Sequence, residues 1–379
     1  MPKEIYLDYN ATTPVLQEVI GVIEDTLENF WGNPSSAHRI GKTAKDVLEQ
    51  ARLQVANIIG AKSNEIIFTS GGTESNNLAI IGAVRKYAHR GKHLITTRIE
   101  HPSVLNPFIY LMEQGFEVDF ISPKEDGTID PKDIESAIKR DTIFCSVMLA
   151  NNETGAIQPI SQIGKICKKH NIIFHTDAAQ AVGKIQVDVE KLEVDLLTIA
   201  GHKIYAPKGI GALFVKEGVQ LESILFGAGQ ENGLRPGTEP VPLACGLGEA
   251  CRFLKDKVSA FSNKLTELKQ LLFELLKKEN KDIVKFVPDE LSLPNTLFVA
   301  IPGTIGAQVL EKAKGVFAST GAACHDRSIK VSHVLSAMNV DEHIAKGAIR
   351  LSLGILTNEK EIRDAAQRLN MAIKELNKT

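Results

Sequence analysis

The sequence contains little cysteine. Only five of its 379 residues are cysteines, at positions 145, 167, 245, 251 and 324, and no two of them form a C-x-x-C pair. This spacing argues against a structural zinc site, and so sparse and odd a count argues against a disulfide framework. Four of the five lie in apolar or helical stretches and are expected to be buried thiols. Cys324 instead lies among small and polar residues.

An excess of charge of one sign is also lacking. The chain has 44 basic and 46 acidic residues, a net charge of -2 and no Lys/Arg block. Nothing in this pattern predicts binding to nucleic acid or to a membrane. The opening MPKEIYLDYN has early charges and no apolar core, unlike a secretory signal, and no uncharged apolar run is long enough to span a bilayer. We therefore expect a cytoplasmic protein.

Several catalytic motifs are missing as well. No G-x-S-x-G precedes a helix and no H-E-x-x-H occurs, so neither a hydrolase nucleophile nor a catalytic metal is predicted. The glycines of GIGAL at 209–213 lack the strand–helix context of a dinucleotide site.

Strands and helices alternate through the first part of the chain. Predicted strands at 65–69, 93–98, 116–122, 142–149, 172–176 and 195–200 are separated by predicted helices at 73–90, after Pro102, at 131–140 and at 161–170. Apolar strands separated by helices indicate an α/β fold with a mostly parallel sheet. The length fits one large domain and a smaller one.

The pattern changes beyond residue 238. A long helical region reaches about 279, followed by a strand at 295–301, a helix from about 305, a strand at 348–353 and a helix from about 358. This order predicts a smaller C-terminal α/β domain. We expect residues 15–260 to form the large domain, and residues 1–14 with 261–379 to form the small one.

Polar residues follow five of the predicted strands. These positions are Gly71 to Asn76, His101, Asn151 with Asn152, Asp177 with Gln180, and Gly201 to Lys203. Ligands of parallel α/β sheets bind at the carboxyl ends of the strands, so these residues are expected to share one edge.

The residue types at this edge favour one cofactor. Two glycines before Thr73 at a helix start can hold a phosphate. A carboxylate (Asp177) and a lysine (Lys203) suit pyridoxal phosphate, with the lysine as its Schiff-base partner and the carboxylate at the ring nitrogen. A histidine (His101) would stack on the ring or move protons. Taken singly, each has a plainer explanation: a capping box from Thr73 to Asn76, a solvated lysine, and helix caps at Asp177 and His101.

Ten motifs in order make the interpretation specific. They are YLDYNATTP, GNPSSAH, FTSGGTESNN, EHPSVL, NNETG, HTDAAQAVGK, GHKIYAPKGIG, RPGTE, STGAACH and RLSLG. Over essentially its whole length the chain resembles the cysteine desulfurases and selenocysteine lyases, which are pyridoxal-phosphate enzymes of the class V aminotransferase type. The resemblance implies a large domain of the aspartate-aminotransferase-like fold (fold type I).

The resemblance also implies a role for each site residue. Phosphate contacts would come from Gly72, Thr73 and His202, ring contacts from His101, Asn152, Asp177 and Gln180, and the Schiff base from Lys203. Thr238 would reach the cofactor of a second subunit, which implies a homodimer with composite sites. Arg350, helped by Asn33, would bind the substrate carboxylate. The family commonly has Ser or Thr where this chain has Ala200, so one phosphate hydrogen bond is either missing or supplied by water or Thr198.

Cys324 lies in Ser-Thr-Gly-Ala-Ala-Cys-His, among small and polar residues typical of an exposed loop. Its composition alone favours an inert thiol. The resemblance makes it the nucleophile that takes sulfur from L-cysteine, leaving L-alanine and a persulfide for a protein sulfur acceptor.

Three alternatives remain at this point. STGAACH, RPGTE and the non-hydroxyl residue before GHK are more similar to the selenocysteine lyases, which would act on L-selenocysteine. An aminotransferase on the same fold would need a keto-acid acceptor. A catalytically idle scaffold would bind a sulfur-carrier partner, and the intact Lys203, Asp177 and Arg350 make it the weakest of the three.

Overall fold

The computed structural model describes residues 4–320, 322–325 and 328–377, and for 322–325 and 328–330 it describes the backbone alone. The strands are β1 Ile5–Tyr6, β2 Ile66–Thr69, β3 His93–Thr97, β4 Glu117–Ile121, β5 Thr142–Ser146, β6 Ile173–Asp177, β7 Leu196–Ala200, β8 Gly211–Val215, β9 Val284–Lys285, β10 Thr296–Ala300, β11 Val316–Phe317, β12 Ser319–Thr320, β13 Ala322–His325, β14 Ser328–Val331 and β15 Ala348–Ser352. The helices are α1 Gln17–Asn29, α2 Arg39–Ile59, α3 Gly72–Tyr87, α4 Pro102–Glu113, α5 Pro131–Ala137, α6 Ile160–Lys169, α7 Val189–Leu192, α8 Val241–Lys255, α9 Val258–Glu279, α10 Gly306–Lys312, α11 His333–Ala337, α12 Glu342–Lys346 and α13 Glu359–Leu376.

A seven-stranded sheet in the order β2-β8-β7-β6-β5-β3-β4 forms the centre of the fold. The pairs among β3 to β7 are parallel, whereas β8 runs antiparallel to both β2 and β7. The predicted mostly parallel sheet is confirmed. The antiparallel β8 was not predicted, and it contains part of the GIGAL segment.

Alternating side chains pack the two faces of this sheet. Ile66 and Phe68 enter one apolar cluster together with residues of α2, α6 and α8, while Ile67 enters a second cluster with residues of α3 and α4. Since helices cover both faces, the strands are apolar throughout, which is why their sequence signal is strong. The long helical region predicted after 238 is two helices, α8 and α9, separated by a turn in which the Lys257 N–H donates to the Leu254 carbonyl.

The C-terminal part has its own sheet, in the order β12-β15-β10-β9, and its own apolar cluster. Ile5 and Leu7 belong to that cluster, and β1 pairs in parallel with β11. The N-terminal segment therefore packs with the C-terminal part. The exact limits of the two domains stay predictions.

A buried ion pair anchors the segment that precedes α8. Arg52 on α2 donates through both terminal nitrogens to the Glu231 carboxylate at 2.7 Å each, and the Phe68 N–H donates to the same carboxylate at 2.8 Å. Glu231 adopts a positive φ of 46°, which these three bonds hold in place.

None of the helices described here is both long and apolar enough to cross a membrane. Cys145, Cys167, Cys245 and Cys251 are buried free thiols, as predicted.

Candidate active site

A cavity of about 330 Å³ opens at the carboxyl edge of the central sheet. Its lining includes residues that follow β2, β3, β5, β6 and β7, the strand ends expected to share one edge. The predicted site residues found there are Gly72, Thr73, His101, Asn152, Asp177, Gln180, His202, Lys203 and Arg350. Asn33 and Thr238 are exposed and are not among the described residues of this lining. The side chain of Cys324 lies outside what the structure describes, and its backbone belongs to β13, where it pairs with Ile329 of β14.

Lys203 follows β7 in a short helical turn and points its amine into the cavity. The Nζ donates to the backbone carbonyls of Asn10 and Ala11, at 2.7 Å each. Burial, reinforced by the charge of Arg350, lowers the pKa of Lys203 to about 8, although Asp177 and Asp8 oppose the shift. Lys203 is therefore not a solvated surface charge, and an amine with a lowered pKa is more readily available as a nucleophile than an ordinary lysine.

Asp177 ends β6 and is only 6% exposed. Its Oδ1 accepts from the Ala179 N–H at 2.9 Å, and its Oδ2 accepts from Asn76 Nδ2 at 2.8 Å. The same Asn76 nitrogen donates to Ser103 Oγ at 2.8 Å. These bonds fix the carboxylate at the base of the cavity, where it can pair with a protonated ring nitrogen.

The start of α3 is suited to an anion. The residue before it, Gly71, has no side-chain cap, so the N–H groups of the first turn are not satisfied within the helix. A Cβ added at Gly72 would come 3.2 Å from the Ala200 Cβ, so the glycine keeps this approach open. The capping box considered for Thr73 and Asn76 does not form, since Thr73 lies inside α3 and the residue that precedes the helix is Gly71.

Thr198 cannot replace the hydroxyl missing at Ala200. It is fully buried, and its Oγ1 lies 3.1 Å from His175 Nε2 within the core. The suggestion that Thr198 supplies a phosphate hydrogen bond is therefore wrong. Ala200 itself lines the cavity.

His101 both caps α4 and lines the cavity. Its Nδ1 accepts from the Ser103 N–H at 3.1 Å, so the neutral ring carries its proton on Nε2. Burial lowers the pKa of His101, and the charge of Lys203 lowers it further, against an opposing effect of Asp177. Its surroundings therefore favour the neutral ring. Burial and nearby lysines likewise lower the pKa of His202 to about 4.

Arg350 approaches the cavity from β15 in the C-terminal part. Its Nη2 donates to Asp8 Oδ1 at 2.6 Å and its Nη1 donates to the Asn152 carbonyl at 2.9 Å, whereas Nε is buried without a hydrogen-bond partner. Two contacts orient the guanidinium and leave N–H groups free for a carboxylate.

Comparison with known proteins agrees with this geometry. The model of the aminotransferase class-V family matches residues 5–364. The chain belongs to that family. It is 42% identical to the protein named cysteine desulfurase IscS of Dictyoglomus turgidum, over 99% of this chain and 96% of the relative. It is 41% identical to the human protein named cysteine desulfurase, over 99% of this chain and 82% of the relative.

Solved structures of similar proteins have the same fold. A NifS-like protein superposes with a TM-score of 0.92 at 35% identity, covering 98% of this chain and all of that one. A structure titled SspA in complex with cysteine superposes with a TM-score of 0.82 at 37% identity, covering 92% of this chain and 98% of that one. This class V chain thus has the fold type I architecture that its sequence predicts.

Four residues around the cavity were not assigned a role from the sequence. Asp8 and Asn10 come from the N-terminal segment, Asn76 from α3, and Lys184 from the turn after Gln180. Asp8, Asn10 and Lys184 all lie within motifs already recognised, YLDYNATTP and HTDAAQAVGK. The sequence signal that could have pointed to these residues is a polar side chain that lies in a recognised motif and has no role assigned to it.

Proposed function

We propose that this chain is a pyridoxal-phosphate-dependent cysteine desulfurase that converts L-cysteine to L-alanine and forms a persulfide on Cys324. The observation that carries the proposal is the meeting of Lys203, Asp177 and Arg350 around one cavity. Relatives named cysteine desulfurase cover nearly the whole chain, and their names favour cysteine over selenocysteine as the substrate.

The residues present fit the cofactor. The uncapped start of α3 offers N–H groups to a phosphate, buried Asp177 offers a carboxylate to a ring nitrogen, and Lys203 offers an amine to an aldehyde. His101, Asn152, Gln180 and His202 would complete the binding site. When bound, pyridoxal phosphate withdraws electrons from the α-carbon of the substrate.

The protein residues then have separate tasks. Arg350 binds the carboxylate of cysteine through the N–H groups of its terminal nitrogens that Asp8 and the Asn152 carbonyl leave free. Lys203 Nζ would take and return protons near the α-carbon of the substrate. His101 holds its proton on Nε2 and is a second proton carrier.

The sulfur transfer balances without a further reactant. The Cβ–Sγ bond of the substrate breaks with its electron pair left on the carbon side, an S–S bond to Cys324 Sγ forms, and the proton that the Cys324 thiol loses is matched by the proton that Cβ gains. A thiol and cysteine thus give a persulfide and alanine. A protein sulfur acceptor would then collect the persulfide sulfur.

We further propose that the chain acts as a homodimer. Thr238 is exposed on the segment before α8, and Phe226 in the same segment is 93% exposed. A subunit interface over this segment would bury that ring and let Thr238 reach the phosphate of the second subunit's cofactor. Sedimentation at several concentrations tests the dimer, and weaker cofactor retention in Thr238→Ala tests the composite site.

Paired assays test the activity itself. Wild type is expected to release alanine from cysteine under reducing conditions, and Lys203→Ala is expected to release none. Cys324→Ala should lose the protein persulfide, while the control Cys245→Ala, which removes a buried thiol, should keep it. Measuring selenocysteine alongside decides the alternative, since a lyase would release alanine from selenocysteine in Cys324→Ala while failing on cysteine. Normal alanine release by Lys203→Ala would overturn the proposal.

A further inference from the structure

A second lysine lies directly behind the cavity, and none of the steps above uses it. Lys184 is only 8% exposed and follows Gln180 by one helical turn. Its Nζ lies 2.6 Å from Gln180 Oε1 and 2.9 Å from Asn10 Oδ1. The charged groups that act on it are both cations, Lys203 and Arg350, and burial together with these charges lowers the pKa of Lys184 well below its usual value.

The bonds around Gln180 fix which way its amide points. The Oε1 atom accepts from Lys184, and Nε2 donates to the backbone carbonyl of Asn10 at 2.9 Å. A lysine nitrogen supplies donors, and a backbone carbonyl can only accept. Both neighbours therefore require the same orientation, with the oxygen toward Lys184 and the NH₂ toward Asn10.

This orientation matters because of what else bonds to Asn10. The same Asn10 carbonyl accepts from Lys203 Nζ at 2.7 Å, so the Gln180 NH₂ and the Lys203 amine meet at one acceptor. The second N–H of Gln180 is then available beside the lysine that is to hold the cofactor, and Gln180 lines the cavity.

We infer that Lys184 is a positioning residue, which holds the Gln180 amide with its NH₂ toward Lys203 so that Gln180 donates to an oxygen of the bound cofactor. The inference rests on the proposed function, since the acceptor belongs to the cofactor. Lys184 also positions Asn10, whose Oδ1 accepts from Lys184 Nζ and from Asn295 Nδ2, the latter at 3.1 Å.

The absorbance of the bound cofactor should depend on whether the Gln180 NH₂ donates to it. A hydrogen bond to an anionic oxygen of the chromophore favours loss of the nearby proton, so it lowers the pH at which the absorbance changes. The titratable and charged groups facing Lys203 also set this midpoint, and they are Asp8, His101, Asp177, Lys184, His202 and Arg350. Removing Lys184 weakens the hydrogen bond from Gln180 and takes away any positive charge on the Lys184 amine, and both changes raise the midpoint.

The experiment is a pH titration of the absorbance of the cofactor-loaded protein. Lys184→Met keeps the length and apolar character of the side chain and removes its donors. Its midpoint is expected to rise by roughly half to one pH unit, the equivalent of one lost hydrogen bond. Gln180→Leu should raise the midpoint similarly, and the shift of the double variant should be smaller than the sum of the two single shifts, because both variants remove the same hydrogen bond.

The controls separate positioning from general stability. Thermal unfolding of the same samples reports a structural loss, which by itself leaves the titration midpoint unchanged. An unchanged midpoint in Lys184→Met, or full additivity with Gln180→Leu, would overturn the inference. If Lys184→Met does not fold, Lys184→Gln replaces it, because its shorter side chain cannot hold both amide oxygens, and the same rise is expected. A wild type that binds no pyridoxal phosphate would instead refute the proposed function.

Discussion

Replacing Glu100 by glutamine is expected to stabilise the protein at high pH. Glu100 is fully buried beside His101. Thr97 Oγ1 donates to its Oε1 at 2.7 Å and the Met148 N–H donates to the same atom at 2.9 Å, while Oε2 is buried without a partner. Desolvation raises the pKa of Glu100 to about 8, and the charge of Asp177 adds to this against the two hydrogen bonds.

The sign of the effect follows from proton uptake. The folded-state pKa lies above the unfolded value of 4.5, so folding takes up a proton between these two values, and the stability is lost as the pH rises toward 8. This uptake costs about 1 kcal/mol at pH 5 and about 4 kcal/mol at pH 8. Glutamine needs no proton, and its carbonyl can accept the same two hydrogen bonds. Its NH₂ is buried where Oε2 has no partner, which costs about 1 to 3 kcal/mol at either pH, so the net gain is expected at pH 8.

Chemical denaturation at the two pH values measures the difference. The free energy of unfolding of Glu100→Gln, relative to wild type at the same protein concentration, should be larger at pH 8 than at pH 5 by about 3 kcal/mol. Glu113→Gln, at the exposed end of α4, controls for neutralising a carboxylate as such. An equal gain at both pH values, or a loss at pH 8, would refute the buried protonated carboxyl.

Four further variants test the site and its support. Asp8→Asn should raise KM for cysteine about tenfold with a smaller change in kcat, because Arg350 loses its anchor, and an unchanged KM would contradict this. His101→Asn can still cap α4 but cannot carry a proton, so kcat should fall roughly a hundredfold, whereas full activity would exclude the ring from proton transfer. Ala200→Ser should tighten cofactor binding about fivefold in equilibrium dialysis, and weaker binding would place the phosphate elsewhere. Arg52→Met leaves a buried carboxylate unpaired and should lower the free energy of unfolding by about 3 to 5 kcal/mol, and no loss would contradict the pairing.

The strand ends of the central sheet were predictable because β2, β3, β5, β6 and β7 are buried along their whole length and polar residues follow each of them. The shared position of His101, Asp177 and Lys203 at one cavity could therefore be predicted from local sequence patterns alone. The antiparallel β8 was missed, since the GIGAL segment that overlaps its start has two glycines and resembles a turn as much as a strand.

The supporting residues could not be predicted in this way. Asp8 bonds to Arg350, which is 342 positions away, and Asn10 bonds to Thr296, which is 286 positions away. No local sequence pattern indicates contacts between residues that are so far apart in the chain. The contact between Thr198 on β7 and His175 on β6 could not be predicted either, because it depends on which face of the sheet each side chain occupies.

The position of Asn10 has a consequence for how the protein is made. Its carbonyl receives the Lys203 amine, while its own N–H donates to Ser352 Oγ at 3.0 Å and its amide donates to Thr296 Oγ1 at 2.9 Å. Asn10 thus waits for partners that follow it by 286 and 342 residues in the chain. A ribosome-bound chain halted before residue 296 therefore contains Lys203 but lacks the residues that hold Asn10 beside it, and the pocket should form only after Ser352 has emerged.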